Sequence, residues 1–195
     1  MAQILITGAE GGLGLALAKA YSDAGDKVAV LCRSSSSELE SLNTDVFDGV
    51  DVTKEADIYR AASQMRETYL DVLINNAGIM VKDDTEKVSL FNVRAQLEVN
   101  ALAPLGVVLA FKRRLRKGSK VINISSRLGS ITDNSSGDDY GYRMSKAAQN
   151  MLTTNLAIAF SKKDVIVTAL HPGVVATAMN GGIGAPANEV ADDLR

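Results

Sequence analysis

Six short runs of branched apolar residues, separated by longer stretches with helical spacing, constrain this chain more than any other feature. The runs are Gln3–Thr7, Lys27–Cys32, Asp45–Val50, Asp71–Asn75, Ser119–Ile124 and Asp164–His171. Near-continuous apolar runs of this length fit strands covered on both faces, as in a parallel sheet. Between the first two, Leu13, Leu17, Ala20, Tyr21 and Ala24 fall at i, i+4, i+7, i+8 and i+11, one face of a helix. A βαβα alternation of this kind predicts an α/β, doubly wound domain: a parallel sheet of six strands, helices on both faces and right-handed crossovers. The 195 residues suit a single domain spanning 1–195, and 46% hydrophobic content gives it a core and excludes a mostly disordered chain.

Charge narrows the partners. Lys plus Arg number 21 against 23 Asp plus Glu, so no global positive field draws nucleic acid or an anionic membrane, and any anion site must be local. Lys112, Arg113, Arg114, Arg116 and Lys117 are expected at the end of the helix that follows Asn100. Without interleaved aromatics they read as a solvated helix terminus favoured by the macrodipole. The longest apolar run, Ala101–Phe111, is shorter than the roughly 20 residues of a membrane span. The N-terminus lacks the basic and apolar regions of a signal peptide, and the lone Cys32 forms no intrachain disulfide; a cytoplasmic location is the expectation. The only histidine, His171, leaves no multi-histidine metal site and reads as structural.

The first strand runs directly into Thr7-Gly8-Ala9-Glu10-Gly11-Gly12-Leu13-Gly14 and then into a helix. Glycines there allow a tight turn and let backbone approach a pyrophosphate, whose charge the open N–H groups and helix dipole stabilise. Of the five tyrosines only Tyr142 has a lysine four residues on, Lys146, which puts both side chains on one helix face. An ammonium about 4 Å from a phenol favours the phenolate by roughly 4 kcal/mol at an effective dielectric of 20, so Lys146 is expected to lower the Tyr142 pKa. Val121-Ile122-Asn123-Ile124-Ser125-Ser126 delivers two hydroxyls to a strand's C-terminal edge, where doubly wound sheets bind ligands. Strand alternation turns them to opposite faces, so one only can serve as the site serine.

Together these motifs resemble the short-chain dehydrogenase/reductase family, and the stretch Arg127–Asn134 with Tyr140-Gly141-Tyr142-Arg143 is most similar to its C-factor and sniffer-type carbonyl reductase branch. The resemblance implies an oxidoreductase that moves hydride between a nicotinamide and a carbonyl or alcohol carbon, with a small-molecule substrate and a homo-oligomeric state, expected to be a dimer. It implies Tyr142 as general acid and Ser126 as the hydroxyl that orients the substrate oxygen, with Ser125 in reserve. Lys146 binds ribose hydroxyls, and Asn100 supports the proton path. It also implies a cofactor site made of Gly8, Glu10, Gly12, Leu13, Gly14, Arg33, Asp51, Val52, Asn76, Ala77, Gly78, Pro172, Gly173, Val174 and Thr177 together with Tyr142 and Lys146.

In the family an acid at the end of the second strand selects NAD, whereas here Cys32-Arg33 stands there, and a forked guanidinium suits the 2'-phosphate of NADP. NADP(H) is therefore the expected cofactor, although Glu10 places an acid where some NADP-preferring relatives carry a base. Asp51 has a second reading as a helix cap. Sixteen positions separate Ser126 from Tyr142, and the polar loop between them is expected to border the substrate. The chain stops soon after Thr177, so a C-terminal truncation and loss of the usual seventh strand are expected, with Gly181–Arg195 a flap or a cut-off helix. Two other classes remain open: a cofactor-binding signalling or interaction protein with little turnover, and a Rossmann methyltransferase, which leaves the tyrosine–lysine pair and the serines unexplained.

Overall fold

A computed structural model describes residues 1–66 and 69–195. Six parallel strands form one sheet in the order β3-β2-β1-β4-β5-β6: β1 (Gln3–Thr7), β2 (Lys27–Leu31), β3 (Thr44–Phe47), β4 (Leu70–Asn75), β5 (Leu115–Ile124) and β6 (Ile166–Leu170). Every pairing is parallel. The order reverses between β1 and β4. Chain leaving the carboxyl end of β1 moves one way across the sheet and chain leaving β4 moves the other, which opens a crevice above both.

Alternation along the strands feeds two cores. Leu5, Leu31, Leu73 and Val121 face one layer with Ile58 of α3 (Glu55–Gln64), Val107 and Phe111 of α5 (Ala103–Phe111) and Leu156 of α6 (Tyr140–Phe160). Ile4, Ile6, Val28, Val30 and Ile74 face the other, with Leu17 and Tyr21 of α1 (Gly12–Asp23) and Val190 of α7 (Ala187–Leu194). The α1 stripe is Leu13, Leu17, Ala18 and Tyr21. Ala24 lies past the last turn, exposed, because the helix stops at Asp23. The short α2 (Ser37–Glu40) is capped by Ser36, whose Oγ accepts from the Leu39 amide at 3.2 Å.

Three regions depart from the sequence reading. The basic run is a helix end only in its first part: α5 stops at Phe111 with Lys112 as its C-cap, Arg113 and Arg114 turn away, and Arg116 and Lys117 lie on β5, which starts at Leu115, with the register shifting so that Leu70 pairs Leu115 while Val72 pairs Lys120. The intervening bulge is held by Ser119, whose Oγ donates to the Leu70 carbonyl and accepts from the Arg116 amide. The charges find separate partners, Arg116 on Asp71 at 3.0 Å and Lys117 on Asp164 at 3.2 Å.

The helix before it is also longer than the apolar run. From α4 (Leu90–Leu97) through a π-helical turn (Glu98–Leu102) into α5 it runs 22 residues, long and apolar enough by length and composition to cross a membrane. It contains the fully buried amides Gln96 and Asn100, and Val107, Val108 and Phe111 of its inner face lie in the core.

The tail is docked: the Ala176 amide donates to the Ala185 carbonyl and the Ala185 amide to the Val174 carbonyl, both at 2.8 Å, and α7 packs on α1 with Val190 and Ala191 buried.

Candidate active site

A cleft of about 840 Å³ opens over the carboxyl ends of β1, β4 and β5 and the chain after β6. Its size lies within the range of small-molecule sites. One end is built from backbone. Gly8 adopts φ +69°, and a Cβ there would stand 2.8 Å from Ala77 Cα. A Cβ on Gly14 would collide with the Gly8 carbonyl and Asn76 Nδ2, so helix and turn close up only because both positions are bare.

Asn76 braces this turn, donating from Nδ2 to the Thr7 and Gly8 carbonyls at 3.1 and 2.7 Å, while Thr7 Oγ1 accepts from the amides of Asn76 and Ala77. No side chain caps α1 at Gly11, which leaves its first-turn amides free to meet an anion. Leu13, Val52, Ala77 and Gly78 line the cleft too, and a Cβ on Gly12 (φ +55°) would stand 3.2 Å from Thr177 Cγ2.

The far rim of this end carries opposing charges. Arg33 is exposed on the cleft edge, and Glu10 lines the cleft with Oε2 buried and unpartnered. The Glu10 carboxylate also acts on Cys32: burial first, then Glu10 and Asp48, push that thiol up to about 11. Asp51 does not cap α3, which begins at Glu55. Its Oδ1 accepts from the amide and hydroxyl of Thr53 at 3.0 and 2.7 Å, bonds that hold the carboxyl below its ordinary value.

The cleft's other end is built from side chains. Beyond β5 the two serines diverge as strand alternation predicts. Ser125 is buried and donates to Asn150 Oδ1 at 2.7 Å; Ser126 faces the cleft, accepts from the Leu128 amide at 3.1 Å and lies within hydrogen-bonding reach of Tyr142.

Lys146, one turn on from Tyr142, is 4% exposed and donates from Nζ to the Ile124 carbonyl at 2.7 Å and to Gln149 Oε1 at 3.0 Å. Burial pulls its ammonium down to about 8. The expected lowering of the tyrosine is not found. Burial pushes the Tyr142 phenol above its ordinary value and Asp139 adds to this, against the Ser126 hydrogen bond. The physical reason is that the ammonium is turned to the end of β5 and sits 5.7 Å from the ring centroid, so desolvation outweighs it.

Asn100 sits in the π-helical turn with its amide spent on protein: Oδ1 accepts from the Ile79 amide at 2.8 Å, and Nδ2 donates to the Ile79 carbonyl and Ser145 Oγ at 2.8 and 2.9 Å. Its side chain thus fixes the β4 loop against α6. Pro172, Gly173 (φ +79°), Val174 and Thr177 form the opposite wall, and His171 stands exposed on that wall rather than in the core. Of the polar loop, Arg127, Leu128 and Asp139 reach the cleft. Among the described residues no group of three His, Cys, Asp or Glu side chains is arranged to hold a metal.

Several lining residues gave no sequence signal, among them Ile79, Met80 and Met179, which read as ordinary apolar positions. Gln149 and Asn150 were missed as well, though a signal was present: Ser145, Lys146, Gln149 and Thr153 place polar groups on the inward stripe of α6. An amide on a buried stripe needs a partner.

The family model for short chain dehydrogenase matches residues 2–188. The 1-hydroxy-2-glutathionyl-2-methyl-3-butene dehydrogenase of Rhodococcus sp. is 36% identical over 179 residues, covering 91% of this chain and 79% of its own. The C-signal protein of Myxococcus xanthus is 38% identical over 115 residues, 57% of this chain and 69% of that one. Among solved structures, the carbonyl reductase Sniffer of D. melanogaster aligns with a TM-score of 0.87 at 27% identity, over 98% of this chain and 89% of that chain. An NADPH-bound carbonyl reductase from chicken fatty liver aligns at 0.86 and 28%, over 97% and 88%. A doubly wound sheet, a glycine turn closed by an asparagine brace and a serine, tyrosine and lysine meeting in one cleft agree with those matches, and the chain belongs to the short-chain dehydrogenase family.

Proposed function

We propose that the chain is an NADP(H)-preferring oxidoreductase acting on a carbonyl compound and its alcohol. The observation that carries this reading is that the hydroxyls of Ser126 and Tyr142 lie within hydrogen-bonding reach of each other in the same cleft that the glycine turn opens into. A carbonyl oxygen between them would meet a donor and a proton source.

The fit of a dinucleotide rests on the bare Gly8 and Gly14, the uncapped α1 and the volume of the cleft, about 840 Å³. The turn and α1 would hold the pyrophosphate, Asp51 and Val52 the adenine, and Arg33 a 2'-phosphate. Lys146 would reach the ribose next to the nicotinamide, whose amide would meet Val174 and Thr177. When bound, a reduced nicotinamide supplies hydride to the carbonyl carbon. Ser126 orients the oxygen and stabilises its growing charge, and the Tyr142 O–H delivers the proton that makes the alcohol. A phenol held above its ordinary value by burial remains protonated at neutral pH, as a proton donor must. Three of the four hydrogen-bonding positions of the Asn100 amide are taken by Ile79 and Ser145, so one part it plays is to hold these residues, and through them the cleft wall, in place.

The test is fluorescence titration with NADPH and NADH, followed by absorbance-monitored turnover on a carbonyl panel. The expectation is NADPH-preferred binding with turnover. Tyr142→Phe is expected to lower kcat by about 10³-fold or more while the NADPH Kd stays within about twofold, since a general acid contributes roughly 10²–10⁴. An active Phe variant overturns the role of Tyr142; binding without turnover across a broad panel points instead to a cofactor-sensing protein.

A further inference from the structure

The side chain of Gln149 has no place in the chemistry above, yet it touches the residue most central to it. Gln149 lies one turn beyond Lys146 on α6 and has no exposed surface. Its Oε1 accepts from Lys146 Nζ at 3.0 Å. Its Nε2 is buried with no partner.

Nearby runs a chain of buried amides and hydroxyls: Asn75 Nδ2 donates to Asn123 Oδ1 at 2.8 Å, Asn123 Nδ2 to Thr153 Oγ1 at 2.8 Å, and Thr153 Oγ1 to the Gln149 carbonyl at 2.8 Å. Asn75 Oδ1 is the other orphan of this network, an acceptor where Gln149 Nε2 is a donor. An apolar side chain at position 149 would leave no orphan amide, so the glutamine costs stability unless its oxygen is needed.

An ammonium has three N–H donors. Ile124 and Gln149 take two, which leaves one for the cleft. We infer that Gln149 is a positioning residue of the active site: with the Ile124 carbonyl it fixes the Lys146 ammonium in its charged form and directs a single N–H toward the cleft. The oxygen does this because an acceptor in a desolvated site favours the charged donor over the neutral amine.

Among the described residues Gln149 is the one side-chain acceptor that hydrogen-bonds Lys146. Tyr142 lies one turn before the lysine on the same helix; from the neighbouring elements come the Ile124 carbonyl of β5, Gly78 after β4 and Gly129 of the short helix Arg127–Gly129, while the charged Asp139 and Arg127 line the same cleft, Arg127 turned to Asp133 at 3.3 Å. Among the described residues no carboxylate hydrogen-bonds the ammonium. Burial lowers its pKa, and the Ile124 and Gln149 oxygens are the two acceptors that oppose this, so removal of the Gln149 oxygen leaves the carbonyl alone.

This inference rests on Lys146 being the site lysine, but its test does not require turnover. The full chain is labelled at lysine Cε and titrated by carbon NMR without cofactor, the Lys146 signal being assigned from its loss in Lys146→Met. Gln149→Leu is expected to move the Lys146 midpoint down from that of the wild-type protein by about one pH unit, a tenfold change in proton affinity. Gln149→Glu keeps an acceptor and adds a charge, and is expected to raise the midpoint by at least as much.

The pH profile of kcat/KM for NADPH-dependent reduction is expected to move its alkaline limb in the same two directions. A Lys146 midpoint unchanged in Gln149→Leu overturns the inference and leaves Gln149 a packing residue. If Gln149→Leu does not fold, an unmoved midpoint in Gln149→Glu does the same. Failure of the proposed oxidoreductase would appear separately, as wild-type protein that binds neither NADPH nor NADH.

Discussion

The two ends of the cleft solve the same problem, holding polar groups ready for a ligand, with different materials. At the glycine turn the wall is main chain: α1 sits against the turn because Gly8 and Gly14 lack side chains, and one asparagine, Asn76, ties two carbonyls. At the end of β5 the wall is side chain, and each functional group leans on another: Ser125 on Asn150, Lys146 on Gln149, Asn100 on Ser145. Backbone packing tolerates no added atom, whereas a side-chain network tolerates exchanges of similar shape and loses function one bond at a time.

The largest expected effect breaks the backbone end. Gly14→Ala places a Cβ on the Gly8 carbonyl and Asn76 Nδ2, neither of which can yield without opening the turn. The expected loss is about 3 kcal/mol or more, seen as a fall in Tm of roughly 6 °C or more and loss of nucleotide binding. Gly11→Ala, three residues earlier, is the control: Gly11 is extended at φ −177° with open space where a Cβ would go, so its expected cost is within about 1 kcal/mol. Equal melting temperatures for the two variants would show that the turn is not sterically closed.

That contrast also explains what was readable in advance. The six strands, the glycine turn and the Tyr142–Lys146 face are local patterns, since buried parallel strands and a helical i, i+4 pair are written in consecutive residues. The bulge at Arg116–Ser119 was not readable: it depends on Ser119 meeting the Leu70 carbonyl across 49 positions. The π-helical turn at Asn100 is fixed by Ile79 and Ser145, 21 and 45 positions away. The Tyr142 pKa was misjudged for the same reason. Spacing gives the distance to a lysine but not the burial of the phenol or the Ile124 carbonyl that draws the ammonium aside.

A smaller effect sharpens the comparison inside the side-chain end. Ser126→Ala removes the hydroxyl within reach of Tyr142 and is expected to lower kcat by about 10²-fold with Tm unchanged, in keeping with loss of one donor to a developing oxyanion. Ser125→Ala removes the bond to Asn150 and is expected to cost about 1 kcal/mol of stability while kcat stays within a few-fold. The reverse pattern, activity lost with Ser125 and kept without Ser126, would exchange their roles.

The smallest expected effect lies where a side chain intrudes on the backbone end. Glu10 brings a carboxylate into the glycine turn, with Oε2 buried and unbonded, while Arg33 waits exposed at the rim. A carboxylate oxygen accepts but cannot donate, so it suits a ribose hydroxyl and opposes a 2'-phosphate, which offers only acceptors and negative charge. The two residues therefore pull the cofactor preference in opposite directions, Arg33 toward NADPH and Glu10 toward NADH. Exposure of Arg33 keeps its attraction modest and salt-sensitive. Glu10→Gln keeps the shape and removes the charge, and is expected to raise the ratio of NADH to NADPH dissociation constants by about fivefold, close to 1 kcal/mol. Arg33→Ala is expected to lower that ratio, and to do so less at 0.5 M salt than at 0.05 M. Fluorescence titrations with the two nucleotides at the two salt concentrations give the four constants for each protein. A ratio unmoved by Glu10→Gln would mean that the carboxylate lies outside the reach of the bound ribose, leaving the preference to Arg33.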